Sequence, residues 1–359
     1  MTESKRKRPS SSLPWNMAFA VVDDLPPASA HDSKLQAFCS FWCGIFCLLL
    51  ASCSSSGAVR QMKPELGAQT WRSYDGKVMP WREGKPVKGG KVKAVVITVH
   101  GLSGAAMDFW MLRDAWPEMG MAVYGMEMRG QGNDPDRRRR GDISSAEVWQ
   151  KDLLTFHRLV RERHPGVPVI WYAESLGTLI ALHTVTDQMR DPAELPAGMV
   201  LSSPAAGLRL RPKGARATLL YSAIALLPGV KVNLERLGGV DDKQIRVTHD
   251  TTHGAQMAIT SHYVSHFTLR LLGEVDDMMR TAPHAATKLQ VPVLVLASPN
   301  DVIASEEQIQ IFYDQIGSAD KTINWYRQSY HLLLHDSQRQ QVLEDATNWV
   351  KHHTQAGGR

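Results

Sequence analysis

The segment that decides the fold is residues 167–177, VPVIWYAESLG, in which an apolar run leads directly into a serine. The run 167–172 is short and uncharged, which favours a buried strand. The residues after it, 178–183, favour a helix. A strand that breaks sharply into a helix at a serine predicts a strained turn that exposes the serine hydroxyl. Free N–H groups at the start of that helix favour negative charge beside Ser175.

Strands and helices alternate on both sides of this segment. Apolar runs at 92–99, 122–128, 198–204 and 291–297 predict further buried strands, with helical patterns between them. Strands that alternate with helices form parallel βαβ units. The predicted fold class is therefore α/β, with a mostly parallel, doubly wound sheet.

Two local signals mark where elements begin. Asp75-Gly76 is flanked by the stretches 70–74 and 77–81 and predicts a hairpin. The sequence Ser144-Ser145-Ala146-Glu147 is typical of a capping box and predicts a long amphipathic helix that ends at about Arg163.

The alternation stops between residues 205 and 287, which hold helix-like segments and no convincing strand. An insertion of this size after a mid-sheet strand predicts a helical cap over the site. The core is then expected in two parts, 68–204 and 288–359. The apolar segment 219–227 has two open interpretations, part of an acyl-binding cap or a plain core helix.

The N-terminal region reads as a leader rather than as part of the fold. Residues 1–36 are polar and predicted to be disordered, and the uncharged run 37–52 suits a secretory signal, so the region 1–52 precedes the mature chain. The run ends in Leu50-Ala51-Ser52-Cys53, which resembles a bacterial lipobox, so lipidation of Cys53 is expected, followed by a flexible tether over 53–67. The protein is then expected in the bacterial cell envelope, held to the membrane by this lipid anchor and facing the periplasm. An uncleaved anchor helix and a plain secretory signal are the alternatives.

Two polar residues follow later strands and could serve Ser175. Asp301 comes after the strand that ends at Ala297, and His331 comes after the strand that ends at Tyr326. In an open α/β sheet, loops at the carboxyl ends of strands meet at one edge. The order serine, aspartate, histidine is that of a hydrolase triad, with three unrelated loop residues as the alternative.

An oxyanion formed at Ser175 needs two hydrogen-bond donors. The backbone N–H of Leu176, directly after the serine, is one candidate, and the N–H of Leu102, in the loop after the strand 92–99, is the other. Gly101 and Gly104 permit the close turn of that loop. His100 is expected to shape the loop through a hydrogen bond rather than to take part in catalysis.

Charge and motif content exclude several other classes. The net charge is +5, but no basic reader motif indicates nucleic-acid binding, and no glycine-rich phosphate loop or dinucleotide fingerprint is present. His331 and His335 have metal-ligand spacing without a third ligand, so no metal and no cofactor are expected. Asp336 is expected to cap the last helix. The run Arg137–Arg140 is either a solvated loop or a contact with an anionic membrane surface.

Five segments in order carry a family resemblance: His100-Gly101-Leu102, 129–132, 173–177, Asp301 and 330–336. Over roughly residues 69–352 the chain resembles the monoglyceride lipase and lysophospholipase branch of the α/β-hydrolases. It differs from the family pattern in having Glu127 for Asp, Asn133 for Ser and Ala173 for Gly.

The resemblance implies an α/β-hydrolase fold with a helical cap between the sixth and seventh core strands. It also implies a serine esterase in which Ser175 attacks the ester, His331 is the base and Asp301 orients it. Acyl glycerols or lysophospholipids are the expected substrates. Acyl transfer and amide hydrolysis use the same acyl-enzyme and stay open. A protein without catalysis that binds a partner in the envelope is the alternative from another class.

Overall fold

The computed structural model describes residues 62–86, 90–233, 247–250 and 262–355. All of these belong to one unit of the chain, Gln61–Arg359. The predicted leader 1–52, Cys53 and most of the predicted tether 53–67 lie outside the described residues. The end of that tether is corrected, because Glu65 and Leu66 form a short strand that pairs with Arg72 and Trp71.

The described residues form a nine-stranded sheet and a separate two-stranded ribbon. The strands are β1 (Glu65–Leu66), β2 (Thr70–Arg72), β3 (Val78–Gly84), β4 (Ala94–Val99), β5 (Met121–Met126), β6 (Val169–Glu174), β7 (Gly198–Ser202), β8 (Lys231–Asn233), β9 (His266–Thr268), β10 (Val293–Ala297) and β11 (Lys321–Trp325). The order in the large sheet is β1-β2-β3-β5-β4-β6-β7-β10-β11. From β5 to β11 every neighbouring pair is parallel, whereas β1, β2 and β3 run antiparallel at one edge.

Seven α-helices accompany the strands in the described part of the chain. They are α1 (Trp110–Ala115), α2 (Ala146–Arg163), α3 (Leu176–His183), α4 (Ala215–Leu226), α5 (Leu269–Lys288), α6 (Glu306–Gln315) and α7 (Arg339–Gln355). None of the helices in these ranges combines the length and the apolar character needed to cross a membrane.

The central strands are buried on both faces, and alternate residues enter two different cores. Ile97 and Trp171 pack on one side, in the core that α2, α3 and α5 cover. Val96 and Tyr172 pack on the other side, against α1 and α7. Apolar runs without a polar face are what a strand covered by helices on both sides requires. The predicted fold class, a mostly parallel α/β-hydrolase sheet, is confirmed.

Of the predicted hairpin and the predicted capping box, only the hairpin is present. β2 and β3 pair antiparallel around a turn in which the Gly76 N–H donates to the carbonyl of Ser73 at 3.0 Å, so the hairpin is confirmed. The helix predicted to end at Arg163 is present as α2, but the capping box is not. The Ser145 hydroxyl accepts from the Glu147 N–H at 3.1 Å, and the Glu147 carboxylate instead pairs with Lys151 at 2.9 Å.

The insertion lies between β7 and β10, the sixth and seventh strands of the sheet if two-residue β1 is left out. The expectation that it holds no strand is wrong, because β8 and β9 pair antiparallel within it. No residue of α4 is buried, so the core-helix interpretation of 219–227 is also wrong. The insertion's last helix, α5, packs into the same core as α3. The limits of the cap, 205–287, stay a prediction.

Candidate active site

Ser175 occupies the sharp turn between β6 and α3. Its backbone has φ 53° and ψ −119°, a left-handed conformation that is rare outside glycine. The turn needs a glycine two residues later, since a Cβ on Gly177 would lie 2.3 Å from the Val99 carbonyl oxygen. Helix α3 therefore begins in direct contact with the end of β4, and the serine side chain stands at the carboxyl edge of the sheet.

The structure brings together the three side chains that the sequence singled out. His331 Nε2 lies 2.8 Å from the Ser175 hydroxyl oxygen, and His331 Nδ1 lies 2.7 Å from Asp301 Oδ2. Because a carboxylate only accepts, Nδ1 carries the proton and donates to Asp301. In the neutral ring Nε2 is then free to accept the Ser175 proton.

Asp301 is fully buried and held on its other oxygen. Its Oδ1 accepts from the backbone N–H groups of Ile303 at 2.7 Å and Ala304 at 3.3 Å. Burial opposes the charged form of His331, but the neighbouring Asp301 charge and hydrogen bond outweigh it and raise the pKa of His331 above its usual value. The pair thus favours the imidazolium that forms when a base takes a proton.

Of the two residues predicted to supply oxyanion donors, Leu176 follows this serine directly and Leu102 follows Gly101 in the loop after β4. A Cβ on Gly101 would meet Ser175 Cβ at 3.0 Å, so the loop that carries Leu102 runs against the serine. Within the described residues, neither the Leu102 N–H nor the Leu176 N–H donates to a protein acceptor. Gln131 fixes the same loop, because its Oε1 accepts from the Ser103 N–H at 2.9 Å.

His100 shapes the loop, as the sequence led us to expect. Its Nδ1 lies 2.9 Å from the Gly101 carbonyl oxygen, and its Nε2 accepts from the Met128 N–H at 3.1 Å. The ring is fully buried, and burial lowers its pKa. A neutral ring in these contacts has no nitrogen left for substrate.

Sequence reasoning missed two carboxyl groups near the site, the buried Glu174 and the partly buried Asp108. Burial raises the pKa of Glu174, the residue before the serine, to about 7; nearby His331 opposes the shift and Asp108 adds to it. Burial likewise raises the pKa of Asp108 to about 6, although its carboxylate accepts from the Ala105 N–H at 2.7 Å. A charged residue at the end of an otherwise apolar strand was the available signal for Glu174.

No group of three or more His, Cys, Asp or Glu side chains in the described ranges could hold a metal ion. The predicted lipidation residue, Cys53, lies outside those ranges.

Comparisons with known proteins show what the whole chain is similar to. The chain is 25% identical over 289 residues to the monoglyceride lipase of Rattus norvegicus, an alignment that covers 79% of this chain and 90% of that protein. It is 25% identical over 268 residues to phospholipase YtpA of Bacillus subtilis, covering 74% and 96%. The fold matches the crystal structure of Paleococcus ferrophilus monoacylglycerol lipase with a TM-score of 0.65 at 21% identity, covering 77% and 99%. Residues 90–338 match the family described as serine aminopeptidase, S33, and the chain belongs to that family.

Proposed function

We propose that this protein is a serine hydrolase of carboxylic esters that works through an acyl-enzyme on Ser175. The observation that carries the proposal is the continuous pair of contacts from Ser175 through His331 to Asp301. A binding protein without catalysis has no need of a strained serine whose hydroxyl faces a histidine held by a buried carboxylate.

The reaction begins when His331 Nε2 takes the proton of the Ser175 hydroxyl and the oxygen attacks the acyl carbon. Asp301 keeps the proton on Nδ1 and stabilises the imidazolium. As the ester C–O bond breaks, Nε2 returns its proton to the leaving alcohol. Water then gives a proton to Nε2 and attacks the acyl-enzyme. As the bond between the acyl carbon and the Ser175 oxygen breaks, Nε2 passes this proton to Ser175, and the acid is released.

Each tetrahedral intermediate places negative charge on the former carbonyl oxygen. The Leu102 and Leu176 N–H groups are the proposed donors to it, since both are adjacent to residues that line the serine. Removal of one fixed donor of this kind lowers kcat by about 10²–10³-fold.

Monoacylglycerols or lysophospholipids are the proposed substrates. Support comes from the relatives named above, which are monoglyceride lipases and a phospholipase. The chain itself contributes α4, whose exposed leucines include Leu219 and Leu226 and could contact a single acyl chain.

The proposed location is the bacterial cell envelope, with a lipid anchor on Cys53 and the folded unit facing the periplasm. Its support is the lipobox-like sequence before Cys53. Mass spectrometry of the mature N-terminus tests it, and an unmodified Cys53 within an intact leader would contradict it.

A fluorophosphonate probe tests the enzyme proposal, because it reacts with activated serines only. Wild type should be labelled, Ser175→Ala should not, and Ser222→Ala, which alters an exposed serine on α4, should be labelled like wild type. Absence of labelling in wild type, or equal labelling of Ser175→Ala, contradicts the proposal.

Substrate class is tested by fatty-acid release from purified protein. Monoacylglycerol, lysophosphatidylcholine, triacylglycerol and an acyl amide are compared at equal chain length. Preference for either single-chain lipid supports the proposal. A preference for the amide would favour an amidase, and acyl transfer to added glycerol would favour a transferase.

A further inference from the structure

The backbone around His331 is held on both sides of the residue. The Tyr330 N–H donates to Asp336 Oδ2 at 2.6 Å, and the Leu332 N–H donates to the Val247 carbonyl oxygen at 2.8 Å. The His331 carbonyl in turn accepts from the Ser203 hydroxyl at 2.5 Å. The position of the imidazole therefore depends on groups that belong neither to the triad nor to its strand.

Asp336 is the central acceptor of this loop. It is 1% exposed, and besides Tyr330 it accepts from the Ser337 N–H at 2.7 Å and from the His249 N–H at 3.1 Å. His249 Nδ1 also lies 2.7 Å from Asp336 Oδ1. The expectation that Asp336 caps the last helix is wrong, because its carboxylate binds the loop before α7 instead.

The partner of this loop is a short piece of the insertion, residues 247–250. The Thr248 hydroxyl donates to the His335 carbonyl at 2.6 Å, and the His249 ring stacks on Tyr330 with centroids 4.2 Å apart. The insertion therefore contacts the loop at three places. His249 stacks on Tyr330, directly before His331, and Val247 accepts from Leu332, directly after it. Thr248 and His249 bind His335 and Asp336 farther along the loop.

We infer that Asp336 and His249 are positioning residues for His331, and that through them the insertion fixes the place of the base. The inference rests on the proposed function, in which His331 must keep 2.8 Å to Ser175 and 2.7 Å to Asp301 at once. A shift of about 1 Å at a reacting group costs on the order of 10²-fold in rate, so a loosened loop loses catalysis before it loses the fold.

His249→Phe is the sharpest variant. The phenyl ring keeps the stack on Tyr330 and removes the ring contact to Asp336, while the backbone N–H of residue 249 still donates to that carboxylate. The side chain of His249 is 44% exposed, so the fold should tolerate the change. We expect kcat for a short soluble ester to fall by about tenfold with KM and Tm unchanged, as a small displacement of the base predicts.

The chain supplies a matched control in His353. That histidine also pairs with an aspartate, Asp320, at 3.0 Å and stacks on an aromatic ring, Trp349, at 4.0 Å, but it lies on α7 away from Ser175. His353→Phe removes the same kind of contact and should leave kcat unchanged.

Asp336→Asn is the second variant, because the single oxygen of its amide cannot accept from both Tyr330 and His249. We expect kcat to fall by about 10²-fold.

A proton NMR measurement gives a readout that does not depend on turnover. The downfield Nδ1 proton of His331, which donates to Asp301, should broaden or shift in His249→Phe and Asp336→Asn, and not in His353→Phe.

The outcomes separate the two proposals. If His249→Phe and His353→Phe agree in kcat and in the His331 resonance, the inference is overturned. If wild type takes no fluorophosphonate label, the proposed function fails, and the resonance alone still decides whether Asp336 and His249 position His331. If Asp336→Asn has a lower Tm than wild type, its kcat also reflects a weakened fold. His249→Phe then tests the inference on its own.

Discussion

Asp301 decides which nitrogen of His331 carries the proton, and this is the basis of the first prediction. Asp301→Asn presents an amide that can donate to Nδ1, which moves the ring proton to Nε2 and leaves nothing to accept from Ser175. We expect kcat to fall by about 10⁴-fold with the fold intact. Ester hydrolysis and circular dichroism measure the two effects.

Asp320→Asn is the control, because Asp320 also pairs with a histidine, His353, but outside the site. It should retain wild-type kcat. A loss of less than about tenfold in Asp301→Asn would show that the proton position on His331 does not limit the reaction.

Glu174 gives a pH-dependent prediction. Its pKa is about 7 in the folded protein against 4.5 for an ordinary glutamate, chiefly because of burial. Below pH 4.5 both folded and unfolded chains keep the proton. As pH rises from there to 7, the unfolded chain ionises first and the fold loses stability. At pH 8 Glu174→Gln should therefore be more stable than wild type by on the order of 3 kcal/mol, and at pH 4 equally stable.

Thermal unfolding at the two pH values measures this difference. Glu307→Gln, on the exposed side of α6, is the control for the same substitution at a position outside the site. Equal Tm differences for Glu174→Gln at pH 4 and pH 8 would rule out ionisation of Glu174 as the cause.

At the level of single residues, the sequence predicted the side chains whose place at the end of a strand brings them to the site. Ser175, Asp301 and His331 each follow a strand, and a parallel sheet brings those ends together. Glu174 was missed because its neighbours His331 and Asp108 come from other parts of the chain. No local pattern reports such a partner.

The start of α3 carries the prediction at the scale of elements. A Cβ on Gly177 would meet the Val99 carbonyl at 2.3 Å and the His100 carbonyl at 2.9 Å, both of which are backbone atoms that cannot rotate away. Gly177→Ala should push α3 off β4, with a loss of about 1–3 kcal/mol from overpacking. The fluorophosphonate labelling rate should fall as well, because Ser175 begins this helix.

Gly229→Ala is the matched control, since a Cβ there would meet nothing within 4 Å. Urea unfolding and labelling rates of the two variants provide the comparison. Wild-type labelling in Gly177→Ala would show that the contact between α3 and β4 does not set the position of Ser175.

Elements were predicted well where both faces of a strand are buried, and poorly where pairing is short. The runs that became β4 and β10 are continuous and apolar, so burial alone identifies them. β8 and β9 have three residues each and pair with one another within the insertion, so neither shows an alternating pattern of its own. The predicted capping box was wrong because Ser144 and Ser145 are adjacent serines, and either hydroxyl can cap the helix.

For the whole molecule, the separation of functional groups along the chain explains what sequence reasoning could reach. His331 lies 156 residues after Ser175 and 30 after Asp301, yet the sheet joins them. The tie between the insertion and the His331 loop was not predictable, because Val247 and His249 carry no motif and their partners are backbone groups and Asp336.

The last prediction concerns where the whole protein resides. If Cys53 is lipidated, Cys53→Ser should move the protein from the membrane fraction to the soluble fraction of the envelope, because two or more acyl chains are what holds such a protein to a bilayer. Esterase activity of the folded unit should persist in solution, since the site lies within residues 90–338. Cys39→Ser alters another cysteine of the same uncharged run and should leave the protein in the membrane. Fractionation with an antibody, together with metabolic labelling by a palmitate analogue, measures both. Membrane retention of Cys53→Ser with unchanged incorporation of the label would place the attachment elsewhere in the chain.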